Sequence, residues 1–67
     1  MLSPRHPNII VTLTGVDGNA FSILGTVIRG LRKASVSEEE IGEFKEAATS
    51  GDYDHLLRTC MEWVTCK

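Results

Sequence analysis

A single segment of this chain alternates apolar and polar residues as a well-formed β-strand does. Residues 9–14, Ile-Ile-Val-Thr-Leu-Thr, are rich in β-branched side chains, and from Val11 onward one face is apolar. Residues 1–8 hold both prolines and no periodic pattern, so we predict a flexible N-terminal arm there. Because a lone strand cannot satisfy its own backbone N–H and C=O groups, the strand needs a partner.

The partner of this strand is predicted to be the same strand of a second copy. The tail, Val64-Thr65-Cys66, offers a brief alternative within the chain. A two-fold antiparallel pairing of identical strands is self-complementary and closes into a homodimer. A domain of 67 residues also buries only about 60% of its unfolded surface, and an oligomer interface would add to that burial.

Three amphipathic helices follow the strand. The first is predicted over 20–34, and Ser37 with Glu40 forms a capping box that starts the second. Asp52 caps the third. The predicted apolar stripe of the first helix contains Phe21, Leu24, Ile28 and Leu31. That of the third contains Tyr53, Leu56, Leu57, Cys60, Met61 and Val64, and leaves Trp63 outside. The fold class is therefore α+β, mostly α, with one β-α-α-α domain over 9–67.

Composition and charge exclude several classes of protein. The net charge of −2 does not suit a nucleic-acid binder, which needs a clustered positive surface. Two cysteines make neither a disulfide framework nor a zinc site. No apolar run resembles a signal peptide or a membrane span, which favours the cytoplasm. No catalytic set of side chains is visible, so we expect a binding protein that is not an enzyme and has no cofactor or metal.

The turn between the strand and the first helix is the strongest candidate for a ligand site. Its candidate residues are Thr14, Gly15, Asp17, Gly18 and Asn19. A helix start carries free N–H groups and the positive end of the helix dipole, which suit phosphate or carboxylate. The structural alternative is that Asp17, Gly18 and Asn19 only make a tight turn and cap the helix. The turn is neither a P-loop nor a dinucleotide-binding glycine motif.

Arg29 and Arg32 lie on one face near the end of the first helix and could contact ligand phosphates. The alternative is that these cations, with Lys33, complement the C-terminal end of the helix dipole. Tyr53 is a possible base-stacking residue, although it also fits the core stripe of the third helix. His55 is interpreted as part of a helix start, not as an acid–base or metal-binding group.

Two motifs resemble a family of very small phage and bacterial proteins. They are Thr14-Gly15-Val16-Asp17-Gly18-Asn19-Ala20-Phe21, followed by Leu24-Gly25, and Ala48-Thr49-Ser50-Gly51-Asp52-Tyr53-Asp54-His55-Leu56-Leu57. The resemblance covers residues 9–64. Some small phage proteins of this general kind are sponges that oligomerise and trap the nucleotide messengers of bacterial immune systems such as CBASS and Thoeris. The resemblance implies a ligand held at subunit boundaries without turnover.

These observations lead to one expected function and one alternative. The expected function is a homo-oligomeric protein that sequesters an anionic cyclic nucleotide and so counteracts host antiphage defence. The alternative is a protein-interaction adaptor or inhibitor that acts through the acidic second helix or an exposed strand edge.

Overall fold

A computed structural model describes residues 4–67, in which a strand, three helices and a second strand follow one another. They are β1 (His6–Val11), α1 (Ala20–Lys33), α2 (Glu38–Ala48), α3 (Tyr53–Trp63) and β2 (Val64–Cys66). The predicted α+β class, mostly α, is confirmed. No helix within residues 4–67 has the length and apolar character to cross a membrane.

The N-terminal strand lies three residues earlier than predicted, at His6–Val11 instead of 9–14. The predicted arm 1–8 therefore overlaps the strand, and residues 1–3 of that arm lie outside the described residues. The reason is the C-terminal tail, which pairs with β1 in parallel and places Val11 opposite Cys66. The tail extends this pairing, because the Lys67 N–H donates to the Val11 carbonyl at 2.8 Å.

Pro7 is accommodated because the pairing of the two strands is irregular. The register shifts between His6 and Ile10, so the missing N–H of Pro7 interrupts no regular ladder. The Pro7 carbonyl instead accepts a hydrogen bond from the Thr65 hydroxyl at 2.9 Å. The strand thus has a partner inside the chain, and the need for a second copy no longer follows from an unpaired strand. Pairing between copies stays a proposal.

The buried face of α1 is rotated relative to the predicted stripe. Its buried residues are Ile23, Val27, Ile28 and Leu31. Phe21, which the prediction placed in the core, is 87% exposed, and Leu24 is half-buried. Residues at i, i+4 and i+8 from Ile23 share one side of the helix. Phe21 lies two residues before Ile23, about 200° around the axis, and therefore faces away from the core.

The buried face of α3 is also rotated from the prediction. It comprises Leu56, Thr59, Cys60 and Trp63, whereas Tyr53 and Met61 are exposed. Thr59 can be buried because its hydroxyl donates to the His55 carbonyl at 2.8 Å. Trp63 packs edge-on against Phe44, with ring centroids 5.4 Å apart. The prediction that Trp63 lies outside the core face is wrong.

Gly30 determines how closely β1 approaches α1. A Cβ at this position would lie 3.0 Å from Cγ2 of Val11, which is tighter than ordinary van der Waals contact. The residue therefore lets the sheet pack directly on the helix. The fully buried core, which includes Val27, Leu31 and Phe44, lies beneath this contact.

The predicted helix starts are confirmed. The side chains of Asn19, Ser37 and Asp52 accept the N–H groups of Ser22, Glu40 and His55 at 2.8, 3.2 and 2.9 Å. Each bond satisfies a backbone donor that the helix itself cannot pair.

Candidate ligand-binding site

The turn that precedes α1 is held mainly by its own hydrogen bonds. Gly15 has a φ of +85°, which a glycine adopts without strain. The Val16 N–H donates to the Leu13 carbonyl at 3.1 Å, and the Asp17 carboxylate accepts the Asn19 N–H at 3.4 Å. Asn19 is the N-cap of α1, which is the structural role that the sequence allowed for it.

Tyr53 links the start of α3 to this turn. Its hydroxyl donates to the carbonyl of Gly18, and the side chain is 44% exposed. The predicted place of Tyr53 in the core is therefore wrong, because its polar end is bound at the surface. The bond fixes the ring beside the turn and leaves one part of the ring open to solvent.

An open groove of about 690 Å³ runs along α1 and brings three cations together. Arg29 and Arg32 line it from α1, and Lys45 lines it from α2. Asp17 lies at its turn end. The floor includes Gly25, where a Cβ would meet nothing within 4 Å. The groove therefore carries three cations and one carboxylate, a net of two positive charges on a chain whose own net charge is −2.

Arg32 is paired with a carboxylate at the edge of the groove. Its Nε and Nη2 atoms donate to the two carboxylate oxygens of Glu38 at 3.2 and 3.1 Å. This hydrogen bond holds the pKa of Glu38 below its ordinary value. Within residues 4–67 Arg29 and Lys45 make no ion pair. The groove therefore contains two unpaired cations and one cation in an exposed pair.

A smaller apolar cleft of about 230 Å³ lies on the other side of Phe21. It forms where the start of α1, the end of α2 and the start of α3 meet. Leu24, Ala48 and Leu56 line its interior, and Phe21 and Tyr53 lie at its sides. Because Phe21 also lines the basic groove, this one ring separates the two depressions.

The structure brings together only part of the predicted site. Asp17, Arg29 and Arg32 line the basic groove. The other predicted residues, Thr14, Gly15, Gly18, Asn19 and Tyr53, do not line it, although Tyr53 lines the neighbouring cleft. The turn thus reaches the groove of the arginines through Asp17 and its neighbour Val16.

Sequence analysis missed Phe21, Ser22, Thr26 and Lys45 as groove residues. A helical-wheel count centred on Ile23 and Val27 would have placed Phe21 outside the core. Lys45 is on another helix, and no local pattern connects it to Arg29. Its place in the groove depends on how α1 packs against α2, which the sequence does not state directly.

The remaining polar residues with chemical potential have structural roles. His55 Nε2 lies 2.8 Å from the Ala47 carbonyl, and the ring covers Gly51. Cys60 is buried, and Cys66 is half-buried. Burial raises the pKa of the Cys60 thiol to about 11, so it is neutral near pH 7. In the described part of the chain no group of three or more His, Cys, Asp or Glu residues could hold a metal ion.

Comparisons with protein-family models, with curated proteins and with solved structures gave no match for this chain.

Proposed function

We propose that this protein is a non-catalytic, cytoplasmic, homo-oligomeric protein that sequesters an anionic nucleotide, with the phosphates held in the basic groove. The observation that carries the proposal is the convergence of Arg29, Arg32 and Lys45 on one open groove. The resemblance to phage sponges supports a cyclic nucleotide immune signal as the ligand, and a role in counteracting host antiphage defence.

The ion pair between Arg32 and Glu38 does not prevent Arg32 from binding a phosphate in the groove. The Arg32–Glu38 pair is exposed, with 52% and 71% of the two side chains accessible, so solvent screens it and it contributes little to stability. The guanidinium fork also matches phosphate oxygens, which can take the place of the two carboxylate oxygens. Arg32 can therefore exchange Glu38 for a ligand phosphate, while Arg29 and Lys45 need give up no partner within residues 4–67.

The floor of the groove allows a ligand to approach the helix backbone. Gly25 has no side chain, and Ser22 and Thr26 on either side of it are small. The Thr26 hydroxyl donates to the Ser22 carbonyl at 2.8 Å, which leaves its oxygen free to accept. The Ser22 hydroxyl is available to donate to a phosphate oxygen.

The proposal is tested by removing the groove arginines. Arg29→Gln/Arg32→Gln should weaken the binding of cyclic dinucleotides at least tenfold, because it removes both guanidinium forks. The matched control is Lys33→Gln/Arg58→Gln, which makes the same change in net charge away from the groove. Titration calorimetry gives the affinities, and circular dichroism confirms that both variants remain helical.

Asp17→Asn provides a test in the opposite direction. The amide oxygen can still accept the Asn19 N–H, but the negative charge at the groove disappears. Affinity should therefore rise severalfold and become more sensitive to salt, because the net positive charge that attracts the ligand increases. Equal affinity in the arginine variant and its control would refute the proposed groove. A wild-type protein that binds none of the cyclic dinucleotides would refute the proposed function.

The exposed face of α2 favours a second candidate function, that of a protein-interaction adaptor. Glu39, Glu43 and Glu46 are all exposed and make no ion pair among residues 4–67. A basic partner surface would suit this face. Charge reversal of the three residues should release a specific bound protein and leave nucleotide affinity unchanged if this function is the correct one.

A further inference from the structure

Phe21 has an exposure that the fold does not require. It is 87% accessible, although it belongs to a helix whose other side forms part of the core. Phe21 and the exposed ring of Tyr53 line the same cleft, and contiguous exposed apolar surface of this kind, unlike a single exposed residue, often belongs to an interaction site. Phe21 is also the one ring that lines both the basic groove and the apolar cleft.

The cleft beyond Phe21 is pre-formed. Its far side is the ring of Tyr53, and the hydrogen bond from the Tyr53 hydroxyl to the Gly18 carbonyl holds that ring in place. Its floor consists of Leu24 and the buried side chains of Ala48 and Leu56. A flat apolar group entering here would contact aromatic rings without reorganising the site, which favours affinity.

The charge next to the cleft indicates what kind of group it accepts. A purely apolar ligand would gain nothing from Arg29, Arg32 and Lys45 on the other side of Phe21. A nucleotide has an aromatic base and a charged phosphate portion, and the two depressions have the matching character. Bases stack readily on aromatic side chains, whatever their sequence.

The spacing along α1 is compatible with one ligand that spans both depressions. Arg29 follows Phe21 by eight residues, which corresponds to about 12 Å along a helix. The flexible arginine side chain adjusts this distance. Such a separation favours a ligand with more than one phosphate over a nucleoside monophosphate.

We infer that the cleft between Phe21 and Tyr53 holds the base of the ligand whose phosphates occupy the basic groove. This inference rests on the proposed function and adds a base-binding half to the site. It assigns Phe21 as the stacking residue and Leu24, Ala48, Leu56 and Tyr53 as the base pocket. The sequence had offered Tyr53, and not Phe21, as a base contact of the ligand site.

The test compares three probes on the full chain: ADP, adenosine and inorganic pyrophosphate. ADP should bind about 5-fold to 150-fold more tightly than pyrophosphate, the range expected for stacking of one base. Phe21→Ser should remove most of this advantage of ADP over pyrophosphate, because pyrophosphate has no base to stack on the ring. Met61→Ser, which removes another exposed apolar side chain outside the cleft, is the control.

A second variant tests the cleft without removing Phe21. Ala20 is exposed at the cleft, so Ala20→Leu should obstruct the cleft and weaken ADP in the same way as Phe21→Ser. Nuclear magnetic resonance titration with adenosine should shift the amide signals of Leu24, Ala48 and Tyr53. A folded Ala20→Leu variant that binds ADP as tightly as the wild type would contradict the base pocket. So would an adenosine titration of the wild type that leaves these amide signals unchanged.

The outcomes separate the two proposals. If ADP and pyrophosphate bind equally and Phe21→Ser changes neither, the base pocket is overturned and the phosphate groove stands. If adenosine shifts the cleft signals but Arg29→Gln/Arg32→Gln leaves ADP affinity unchanged, the base pocket stands and the phosphate groove is overturned. If no probe binds, both are overturned.

Discussion

The guanidinium carbon of Arg5 lies 3.9 Å from the centre of the Trp63 ring, so the residue before β1 covers the last residue of α3. Trp63 is 95% buried between this contact and Phe44. The Arg5 N–H also donates to the Glu62 carbonyl at 2.8 Å, and His6 hydrogen-bonds Glu40. Arg5 and His6 are therefore bound to α2 and α3 at several points.

Substituting the two residues of this contact by alanine should lower stability by unequal amounts. Trp63→Ala should lower the free energy of unfolding by about 3–5 kcal/mol, because it leaves a large cavity in the core. Arg5→Ala should lower it by about 0.5–1 kcal/mol, the size of an exposed cation–π contact. Urea unfolding followed by circular dichroism measures both. A larger loss for Arg5→Ala than for Trp63→Ala would contradict the packing described here.

Ser35 occupies a backbone conformation that favours glycine. Its φ is +66°, and its N–H donates to the Arg32 carbonyl while the Val36 N–H donates to the Leu31 carbonyl, both at 3.0 Å. This is the pairing that ends a helix in a left-handed residue. Ser35→Gly should therefore raise the free energy of unfolding by about 0.5–1 kcal/mol. Ala34→Gly, at a φ of −88°, is the control and should not stabilise the protein.

Replacing Gly51 and replacing Gly42 by alanine should change the free energy of unfolding in opposite directions. A Cβ on Gly51 would lie 2.8 Å from Cγ of His55, so Gly51→Ala must displace a ring that packs against the end of α2. A Cβ on Gly42 meets nothing within 4 Å, and Gly42 lies inside α2. We expect Gly51→Ala to lower the free energy of unfolding by about 1–3 kcal/mol. Gly42→Ala should raise it by about 0.5–1 kcal/mol. Thermal unfolding of the two variants measures both changes. A change in stability of the same sign in both would contradict the packing of the His55 ring against Gly51.

Local signals were sufficient for the helix starts and insufficient for their orientations. Ser37 and Asp52 were identified because a cap and its N–H partner lie within three residues of each other. β2 was underestimated because three residues form a strand only when β1 lies beside them. Gly51 follows α2 for a reason that no local signal gives: within residues 4–67 the left-handed conformation occurs at Gly15 and Ser35, whereas at Gly51 the His55 ring leaves no room for a side chain.

The candidate site shows the same division. Arg29 and Arg32 were found because they share one helix face, and Asp17 because it lies in the turn. Lys45 and the cleft were missed, because both depend on the packing of separate helices. Phe21 was assigned to the core because the apolar pattern of α1 is wide enough to fit two adjacent faces, and only tertiary packing selects one of them.

Cys60 should make stability fall at high pH. Burial, with a smaller contribution from Cys66, raises its pKa from 9.0 to about 11. Below pH 9 the thiol keeps its proton in both the folded and the unfolded protein, so its ionisation takes nothing from the free energy of unfolding. Between pH 9 and 11 the unfolded thiol loses its proton while the folded one keeps it, and up to about 2–3 kcal/mol is lost.

The control for this pH dependence is Cys60→Ala, which lacks the buried thiol. The unfolding free energies of both proteins are compared at pH 8 and pH 10.5, and we expect the smaller decrease in the variant. All other side chains are the same in the two proteins, so their contributions to the pH dependence largely cancel. An equal decrease in the two proteins would contradict the assignment to Cys60.

Self-association is expected to use the edge of β1 that β2 does not cover. In the described sheet β1 has β2 on one side only, and Ile10 within it is 56% exposed. An open edge with an exposed apolar residue favours pairing with another strand, and a lysine there disfavours it. We expect Ile10→Lys to shift sedimentation equilibrium from dimer to monomer, with Met61→Lys as a control of equal charge and similar exposure. A wild-type protein that is monomeric at all concentrations would refute this pairing, and a variant as dimeric as the wild type would place the interface elsewhere.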